Sequence, residues 1–348
     1  MKILLIADTH GGARGDNPHF YTYQKKFYDN VLFPYIDMYK PYAFVHLGDI
    51  VENRKTMHYR TLKHIREDLI WPLGGMDVKS YWIAGNHDSH FRYNLSINAV
   101  REFVDIEQSE IVDSPLGAII GGKKILMIPW ICKENREECV ESIQVSQADY
   151  CFGHFELKGF QDNNGRYSTY GDDPSYLRHF KSVESGHYHK RSRQGNITYV
   201  GSAFEYTWSD YGDYRGFSVF DTESGKLDFF RNPYHIFSIL QYGGLDGITK
   251  LGPGDIKNCT GTYCRIFRKD GGGNDVQFAD FVKTVEDVGL IDLTIVEKGD
   301  TSVMENSESI QTDSLQDIMF SYIDNQELKN PELIKDRFSQ LYGKAIRQ

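Results

Sequence analysis

Short apolar segments that end abruptly in carboxylate, amide or imidazole side chains recur along this chain. In the clearest case an apolar run at 81–84 is followed by Gly85 and then by Asn86, His87 and Asp88. Four further segments carry related clusters: Asp8-Thr9-His10 after 3–7, Gly48-Asp49 after 42–47, Gly153-His154 after 150–152, and Gly186-His187-Tyr188-His189 before the apolar run 197–200. Because open α/β sheets bind ligands at the carboxyl ends of their strands, this pattern predicts a site at one sheet edge.

The order of the segments in the first third of the chain predicts an α/β fold. Strand-like segments alternate with amphipathic helical segments, which implies right-handed crossovers and a mainly parallel sheet. We expect a kink or break at Pro34 in the first helix, and we expect the second helix to be stopped by Pro72 and the Gly74-Gly75 pair. The predicted strands are 2–7, 42–47 and 81–84, and the predicted helices are 20–40 and 60–71.

Beyond residue 115 short strand segments dominate. Apolar runs at 118–120 and 124–128 flank Gly121-Gly122, which predicts a hairpin. Further strands are predicted at 149–152, 197–200, 217–220 and 227–230, and a surface helix at 133–145. We therefore predict a sandwich of two sheets flanked by helices, with the site at one rim, within a domain that spans residues 1–235.

Three further parts follow this domain in the sequence. Residues 236–299 contain a strand–helix–strand pattern, which predicts a small α/β capping domain that positions the substrate. Residues 300–313 are polar and Ser-rich, as is typical of a flexible linker. Residues 314–348 contain two amphipathic helices. Because isolated helices of this length are marginal in water, they either fold back on the catalytic domain or, as we favour, dock on a partner.

Composition excludes several classes of protein. The formal net charge of the 348 residues is −10, so no global basic field attracts nucleic acid. The five cysteines are odd in number and form no Cys-x-x-Cys pair, which favours reduced thiols in a cytoplasmic protein over a zinc knuckle. We expect no signal peptide and no membrane span, because no apolar run approaches about 18 residues.

The predicted site residues have the composition of a two-metal centre. They comprise four imidazoles, two carboxylates and one amide: Asp8, His10, Asp49, Asn86, His154, His187 and His189. This donor set suits manganese, iron or zinc, and seven ligands suit two ions that share a carboxylate. His87 is then left as a general acid, and Asp88 beside it is expected to orient its ring or hold it protonated.

At these residues the chain resembles the calcineurin-like metallophosphoesterase superfamily, and within it the SbcD-type nucleases of double-strand-break repair, including those of T-even phages. The motifs that carry the resemblance are Asp8-x-His10, Gly48-Asp49, Gly85-Asn86-His87-Asp88, Gly153-His154 and Gly186-His187-x-His189, with supporting stretches at 128–135, 153–160, 215–223 and 314–319. The resemblance implies that Asp49 bridges two ions. Asp8, His10 and His189 then complete one metal site, and Asn86, His154 and His187 complete the other, while His87 is the catalytic histidine.

The same resemblance implies an activity and partners. We expect two Mn²⁺ ions, 3′-to-5′ exonuclease activity on duplex DNA and endonuclease activity on single strands. The expected partner of the C-terminal helices is an SMC-like coiled-coil ATPase of the SbcC type, in a complex for recombination, repair or replication. A homodimer through the early helices is also implied, and a phage-encoded protein would act in the host cytoplasm.

The chain departs from the SbcD-type pattern just after Asp49. Many of those nucleases carry a histidine there that is thought to touch the DNA sugar, whereas this chain has Glu52. Arg54 and His58 are the candidates to replace that histidine. A second candidate DNA-binding segment contains Lys190, Arg191 and Arg193 beside the last ligand; its other interpretation is a solvated hairpin.

Three other functions were weighed. A protein phosphatase would resemble Gly-Asp-x-x-Asp-Arg-Gly and Gly-Asn-His-Glu, where this chain has Glu52-Asn53-Arg54 and Asp88. A cyclic-nucleotide phosphodiesterase would leave residues 236–348 without a role. A non-enzymatic scaffold is disfavoured because the ligand set is complete.

Overall fold

The computed structural model of the chain describes residues 1–163, 165–243, 256–268, 274–296, 334–335 and 337–338. The chain divides into two units, Met1–Val303 and Met304–Gln348. In the second unit only the last four of these residues are described, and all four are helical. The predicted linker 300–313 and, apart from those four residues, the predicted partner helices 314–348 lie outside the described residues.

The first sheet has six strands in the order β12-β11-β1-β2-β3-β4. They are β1 (Lys2–Ile6), β2 (Ala43–His46), β3 (Lys79–Ile83), β4 (Ser109–Val112), β11 (Gly216–Asp221) and β12 (Leu227–Arg231). The four strands β1 to β4 are parallel, and β11 and β12 are antiparallel additions at one side. The predicted parallel sheet is confirmed, and β4 is an additional strand.

The second sheet also has six strands, in the order β5-β6-β7-β8-β10-β9. They are β5 (Leu116–Ile120), β6 (Lys123–Ile128), β7 (Tyr150–His154), β8 (Ser182–Gly186), β9 (Ser192–Gln194) and β10 (Ile197–Tyr199). The central strands are parallel, while β5 and β9 run antiparallel at the two edges. The predicted hairpin at Gly121-Gly122 joins β5 to β6.

The two sheets pack face to face through apolar side chains. Leu5 and Val45 of the first sheet and Phe152 of the second are fully buried in one shared cluster. The other face of the first sheet is covered by helices, again through a large apolar cluster. The predicted two-sheet sandwich flanked by helices is therefore confirmed.

Each of the two long helices contains a π-helical segment, with its wider turn, just before its proline. The first comprises Pro18–Phe27, a π-helical segment Tyr28–Leu32, and Phe33–Tyr39. The second comprises Tyr59–Ile65, a π-helical segment Arg66–Ile70, and Trp71–Gly74.

In each case a π-helical segment precedes the proline, which has no N–H to donate and whose ring would clash in a regular helix. The disturbance predicted at Pro34 is thus a π-helical segment. The predicted end of the second helix at residue 71 is three residues too early, since the helix continues past Pro72 and ends at Gly74, at the predicted Gly74-Gly75 stop.

A third, parallel sheet follows the sandwich in the chain. It contains β13 (Phe237–Tyr242), β14 (Tyr263–Arg268) and β15 (Asp292–Val296), with the helix Asp275–Glu286 between the last two. This strand–helix–strand module has its own apolar cluster, which includes Leu240 and Ile266. Its first residues also join the core of the sandwich, so the described part of the module is attached to the catalytic fold.

The remaining short helices connect these strands at the surface. They are Ala13–Asp16, Ala99–Phe103, Arg136–Val145, Pro174–Leu177 and Trp208–Asp210. Among the residues that the structure describes, no helix is both long and apolar enough to cross a membrane.

Candidate metal centre

The seven predicted ligands follow five parallel strands and converge at one rim of the sandwich. Ligands follow β1, β2 and β3 in the first sheet, while in the second sheet His154 ends β7 and two more histidines follow β8. Potential ligand atoms lie within 4.8 Å of one another in three groups. The groups are Asp8–His10–His189, Asp49–His154–His187, and His10–Glu52–His87.

The first group joins the loop after β1 to the segment after β8. His10 Nε2 and His189 Nε2 lie 3.0 Å apart. The backbone N–H of His187 donates to the two carboxylate oxygens of Asp8, at 3.0 and 3.2 Å. These contacts join the two sheets at the rim.

The second group surrounds the amide of Asn86. Its Oδ1 lies 2.9 Å from His154 Nε2 and 2.9 Å from His187 Nδ1. Asp49 Oδ2 lies 3.3 Å from His154 Nε2 and 4.0 Å from His10 Nε2. The carboxylate of Asp49 therefore lies between the two groups.

The backbone is strained at four of the seven ligand positions. Asp8, His10, Asp49 and His187 all have positive φ, at 53°, 40°, 57° and 92°. Such conformations in non-glycine residues cost on the order of 1–3 kcal/mol each and persist only where the surroundings fix them. The fold thus holds these side chains in place at a cost in stability, as is common at functional sites.

Glycines in two of the motifs allow the close approach of the ligand loops. A Cβ on Gly48, whose φ is +101°, would overlap the ring of His154. A Cβ on Gly85 would overlap the carboxylate and backbone of Asp49. Neither site tolerates a larger residue without moving a predicted ligand.

Burial and neighbouring charges shift the pKa values of the proposed ligands in different directions. Burial and the nearby Asp49 raise the pKa of Asp8 to about 6. Burial alone would lower the pKa of His10 and His154, but carboxylates outweigh it, Glu52 chiefly at His10 and Asp49 at His154, and raise each pKa to about 9. Burial lowers the pKa of His187 to about 3, helped by the charge of His154.

This donor set fits divalent metal ions. Imidazole nitrogens and carboxylate and amide oxygens are the ligands that manganese, iron and zinc share. Asp49 lies within 4.0 Å of an imidazole nitrogen of each group, as a carboxylate shared by two ions would. The buried carboxylates of Asp8 and Asp49 repel each other, and a bound cation would neutralise them.

His87 and Asp88 face different partners. His87 donates its backbone N–H to Asp49 Oδ1 at 2.7 Å, and its ring Nδ1 lies 2.6 Å from the backbone oxygen of Glu52. Asp88 instead accepts backbone N–H groups from four residues, Gly85, Asp49, Ile50 and Val51. The expectation that Asp88 orients the His87 ring is therefore wrong. Asp88 ties the loop after β2 to the loop after β3, and the Glu52 carbonyl orients the ring.

The candidate DNA-binding residues fall in two separate places. Arg54 lines a pocket of about 150 Å³ together with His90, while His58 is exposed at the start of a helix. Lys190, Arg191 and Arg193 line a cleft of about 480 Å³ at the edge of the second sheet.

Within that cleft the three basic side chains differ. Lys190 lies 3.5 Å from Asp213, and Arg193 is exposed on β9. Arg191 packs over Phe229 and donates to Ser218 Oγ at 3.0 Å. Its guanidinium thus bonds to the first sheet, and the segment forms a hairpin, β9–β10. Contact of these three basic residues with DNA stays a prediction.

Three further residues touch the centre that the motif analysis did not assign to it. Glu52 Oε2 lies 2.8 Å from His10 Nδ1. The Tyr206 hydroxyl donates to the Asp8 carbonyl at 2.9 Å, and its ring packs edge-on to His10. Trp130 packs against His187, with ring centroids 5.3 Å apart. Of these three residues, only Glu52 lies close to a motif in the sequence, three residues after Asp49.

Comparison with known proteins agrees with this geometry. The family model "Calcineurin-like phosphoesterase" matches residues 1–238. The chain is 31% identical over 325 residues to "Exonuclease subunit 1" of Enterobacteria phage T4, an alignment that covers 93% of this chain and 92% of that protein. A solved structure of an archaeal phosphodiesterase aligns over 67% of this chain and all of its own, at 14% identity and a TM-score of 0.36, and adds nothing to the assignment. The chain belongs to the calcineurin-like phosphoesterase family.

Proposed function

We propose that the chain is a nuclease that hydrolyses DNA phosphodiester bonds with two divalent ions, Mn²⁺ being the expected metal. The observation that carries the proposal is the position of Asp49 between two groups of imidazole and oxygen ligands. A single ion with an open coordination position needs far fewer than seven ligands. Paired ions with a shared carboxylate suit the displacement of one oxygen by another at a phosphate.

The proposed ligands divide between the ions as the side-chain groups do. Asp8, His10 and His189 would hold one ion, Asn86, His154 and His187 would hold the other, and Asp49 would be shared. Two such ions would supply an activated water and neutralise charge on the phosphate and the departing oxygen. The surrounding fold holds the backbone of four of these residues at positive φ, which fixes their donor atoms before the substrate arrives.

His87 is proposed as the proton donor to the leaving oxygen. Its Nδ1–H donates to the Glu52 carbonyl, which can only accept, so Nε2 is the ring nitrogen left for the substrate. Its backbone bond to Asp49 keeps the ring beside the ligands without making it one. A protonated imidazole in this position can deliver a proton as the sugar oxygen departs.

Two observations support DNA as the substrate. The T4 relative is named as an exonuclease subunit, and the alignment with it extends well beyond the family match, over 93% of this chain. The proposed capping domain, 236–299, is anchored to the sandwich: Asn17 donates to the Tyr263 hydroxyl at 2.8 Å, and Glu205 accepts the backbone N–H groups of Ile236 and Phe237. We propose that it positions duplex DNA for 3′-to-5′ digestion, with endonuclease activity on single strands.

The complex is proposed on the same basis. The relative is named as a subunit, which suggests that a partner exists. We propose that the predicted helices at 314–348 bind an SMC-like ATPase of the SbcC type and that the predicted linker 300–313 tethers them. A homodimer and a role in phage recombination, repair or replication in the host cytoplasm complete the proposal.

Cleavage of end-labelled duplex DNA tests the function. The purified full-length chain should shorten the duplex with Mn²⁺, and with Mg²⁺ to a lesser extent. A generic phosphodiester, a cyclic nucleotide and a phosphoserine peptide serve as competing substrates. Rapid hydrolysis of the cyclic nucleotide or the phosphopeptide without DNA cleavage would instead identify a phosphodiesterase or a phosphatase.

A further inference from the structure

Glu52 contacts two essential imidazoles through two different atoms. Its side-chain Oε2 lies 2.8 Å from Nδ1 of His10, and its backbone oxygen lies 2.6 Å from Nδ1 of His87. The Glu52 carbonyl can only accept, so the His87 ring carries hydrogen at Nδ1 and its Nε2 remains for proton transfer. The Glu52 carboxylate lies at ion-pair distance from His10 Nδ1, while His10 Nε2 lies 3.0 Å from His189 Nε2, on the side of the other proposed ligands.

The backbone around Glu52 is held by both neighbouring loops. Its own N–H donates to the Gly11 carbonyl at 3.0 Å, in the loop after β1. The preceding residues, Ile50 and Val51, donate to Asp88 in the loop after β3. The position of the Glu52 carboxylate and carbonyl is thus set by three segments that also carry ligands.

We propose that Glu52 is a positioning residue of the metal centre. Its carboxylate orients His10 with Nε2 as the ligand nitrogen, and its carbonyl orients His87 with Nε2 towards the leaving oxygen. This inference rests on the proposed function and gives Glu52 no contact with the substrate. Carboxylates that orient a ligand histidine increase its basicity, and their loss typically weakens metal binding by about 10–100-fold.

Two substitutions separate the carboxylate from the carbonyl. Glu52→Ala and Glu52→Gln both retain the backbone oxygen, so the contact with His87 persists. The alanine variant should bind Mn²⁺ about 10–100-fold more weakly at one site. The glutamine variant keeps an acceptor oxygen without the charge and should lie between alanine and wild type. At saturating Mn²⁺ both variants should recover a kcat close to that of wild type.

The matched control is Glu156→Gln. Glu156 is a partly buried carboxylate two residues after His154, and its side chain is assigned no part in the centre. This variant should leave Mn²⁺ affinity and DNA cleavage unchanged. A general loss of negative charge near the rim would instead weaken binding in the control as well.

Calorimetric Mn²⁺ titration of the full-length chain is the primary readout. A second readout is the Nδ1–H signal of His10 in the ¹⁵N-labelled, zinc-loaded protein, zinc being a diamagnetic substitute. The signal should exchange slowly in the wild type and the glutamine variant and rapidly in the alanine variant. If the alanine variant does not fold, the glutamine variant decides through its reduced Mn²⁺ affinity.

Two results would overturn the inference. Wild-type Mn²⁺ affinity in both Glu52 variants would remove any positioning role. A stoichiometry lower by one ion at saturating Mn²⁺ would make Glu52 itself a ligand, as its grouping with His10 and His87 allows. A wild-type chain that binds no Mn²⁺ or leaves DNA uncut would contradict the proposed function instead, so the two failures are distinguishable.

Discussion

At the scale of single residues, chemistry depends on which atom of each side chain faces its neighbours. Asp88 and Glu52 are both acidic and both near His87, yet their side chains act on different partners. Asp88 accepts four backbone N–H groups and joins two loops, whereas Glu52 reaches a proposed metal ligand, His10. The sequence suggested that Asp88 orients the His87 ring, and it assigned no structural role to Glu52.

His87 gives the sharpest prediction at this scale. His87→Ala and His87→Gln should retain both metal ions and lose turnover by about 10²–10⁴-fold, because a proton donor is removed and no ligand is. Metal content and cleavage of labelled duplex are measured on the same samples. A variant that loses metal in proportion to activity would make His87 a ligand.

The sequence predicted that the seven proposed ligands lie together at one rim, and they do. Each follows or ends a strand, and parallel strands bring such positions to one edge, whereas their binding of metal stays a prediction. Glu52, Tyr206 and Trp130 were not assigned to the centre because their roles depend on the packing of distant segments. Tyr206, for example, reaches the carbonyl of Asp8 across 198 residues of sequence.

At the scale of elements, strands with apolar runs were predicted and polar strands were not. The strand β8 (Ser182–Gly186) has the sequence Ser-Val-Glu-Ser-Gly and lies at the centre of the second sheet, with Glu184 almost fully buried. No local pattern predicts a buried glutamate in a central strand. The position of β8 follows from its pairing with β7 and β10, which only the folded chain reveals.

Glu184 yields a prediction about stability. Burial raises the pKa of Glu184 from its ordinary value of 4.5 to about 7, although the Ser182 hydroxyl donates to it. The folded protein thus holds the proton more tightly than the unfolded chain, so the free energy of unfolding falls as pH rises from about 4.5 to 7.

Glu184→Gln should remove this loss. Thermal unfolding should show the variant more stable than wild type at pH 8, by up to roughly 3 kcal/mol, with little difference at pH 4.5. Glu141→Gln, on an exposed helix face, is the control and should track wild type at both pH values. An equal shift at both pH values would mean that packing, and not ionisation, is responsible.

At the scale of the whole molecule, an acidic chain is proposed to act on an acidic polymer. The net charge of −10 gives no general attraction to DNA, so binding must come from the metal ions, from local basic groups such as Lys190, and from a partner. The proposed ATPase would supply a clamp around the duplex.

Truncation tests whether the predicted C-terminal helices bind the ATPase. A chain that ends before Thr312 should remain folded and metal-loaded and should cleave a small phosphodiester at the wild-type rate, but should no longer co-purify with the SbcC-type ATPase. The full-length chain is the control in each assay. Complex formation at normal affinity by the truncated chain would refute the docking role, and loss of folding would favour helices that pack on the catalytic domain.

The central claim, two ions that share Asp49 in a DNA-cleaving centre, is tested most directly by the metal content of Asp49 variants. Elemental analysis after equilibration with Mn²⁺ should find two ions in each wild-type chain. Asp49→Ala and the isosteric Asp49→Asn should lose both ions and duplex cleavage while remaining folded by circular dichroism, whereas His10→Ala should weaken chiefly one site. Two fully occupied sites in the Asp49 variants would contradict the shared carboxylate and the account that depends on it.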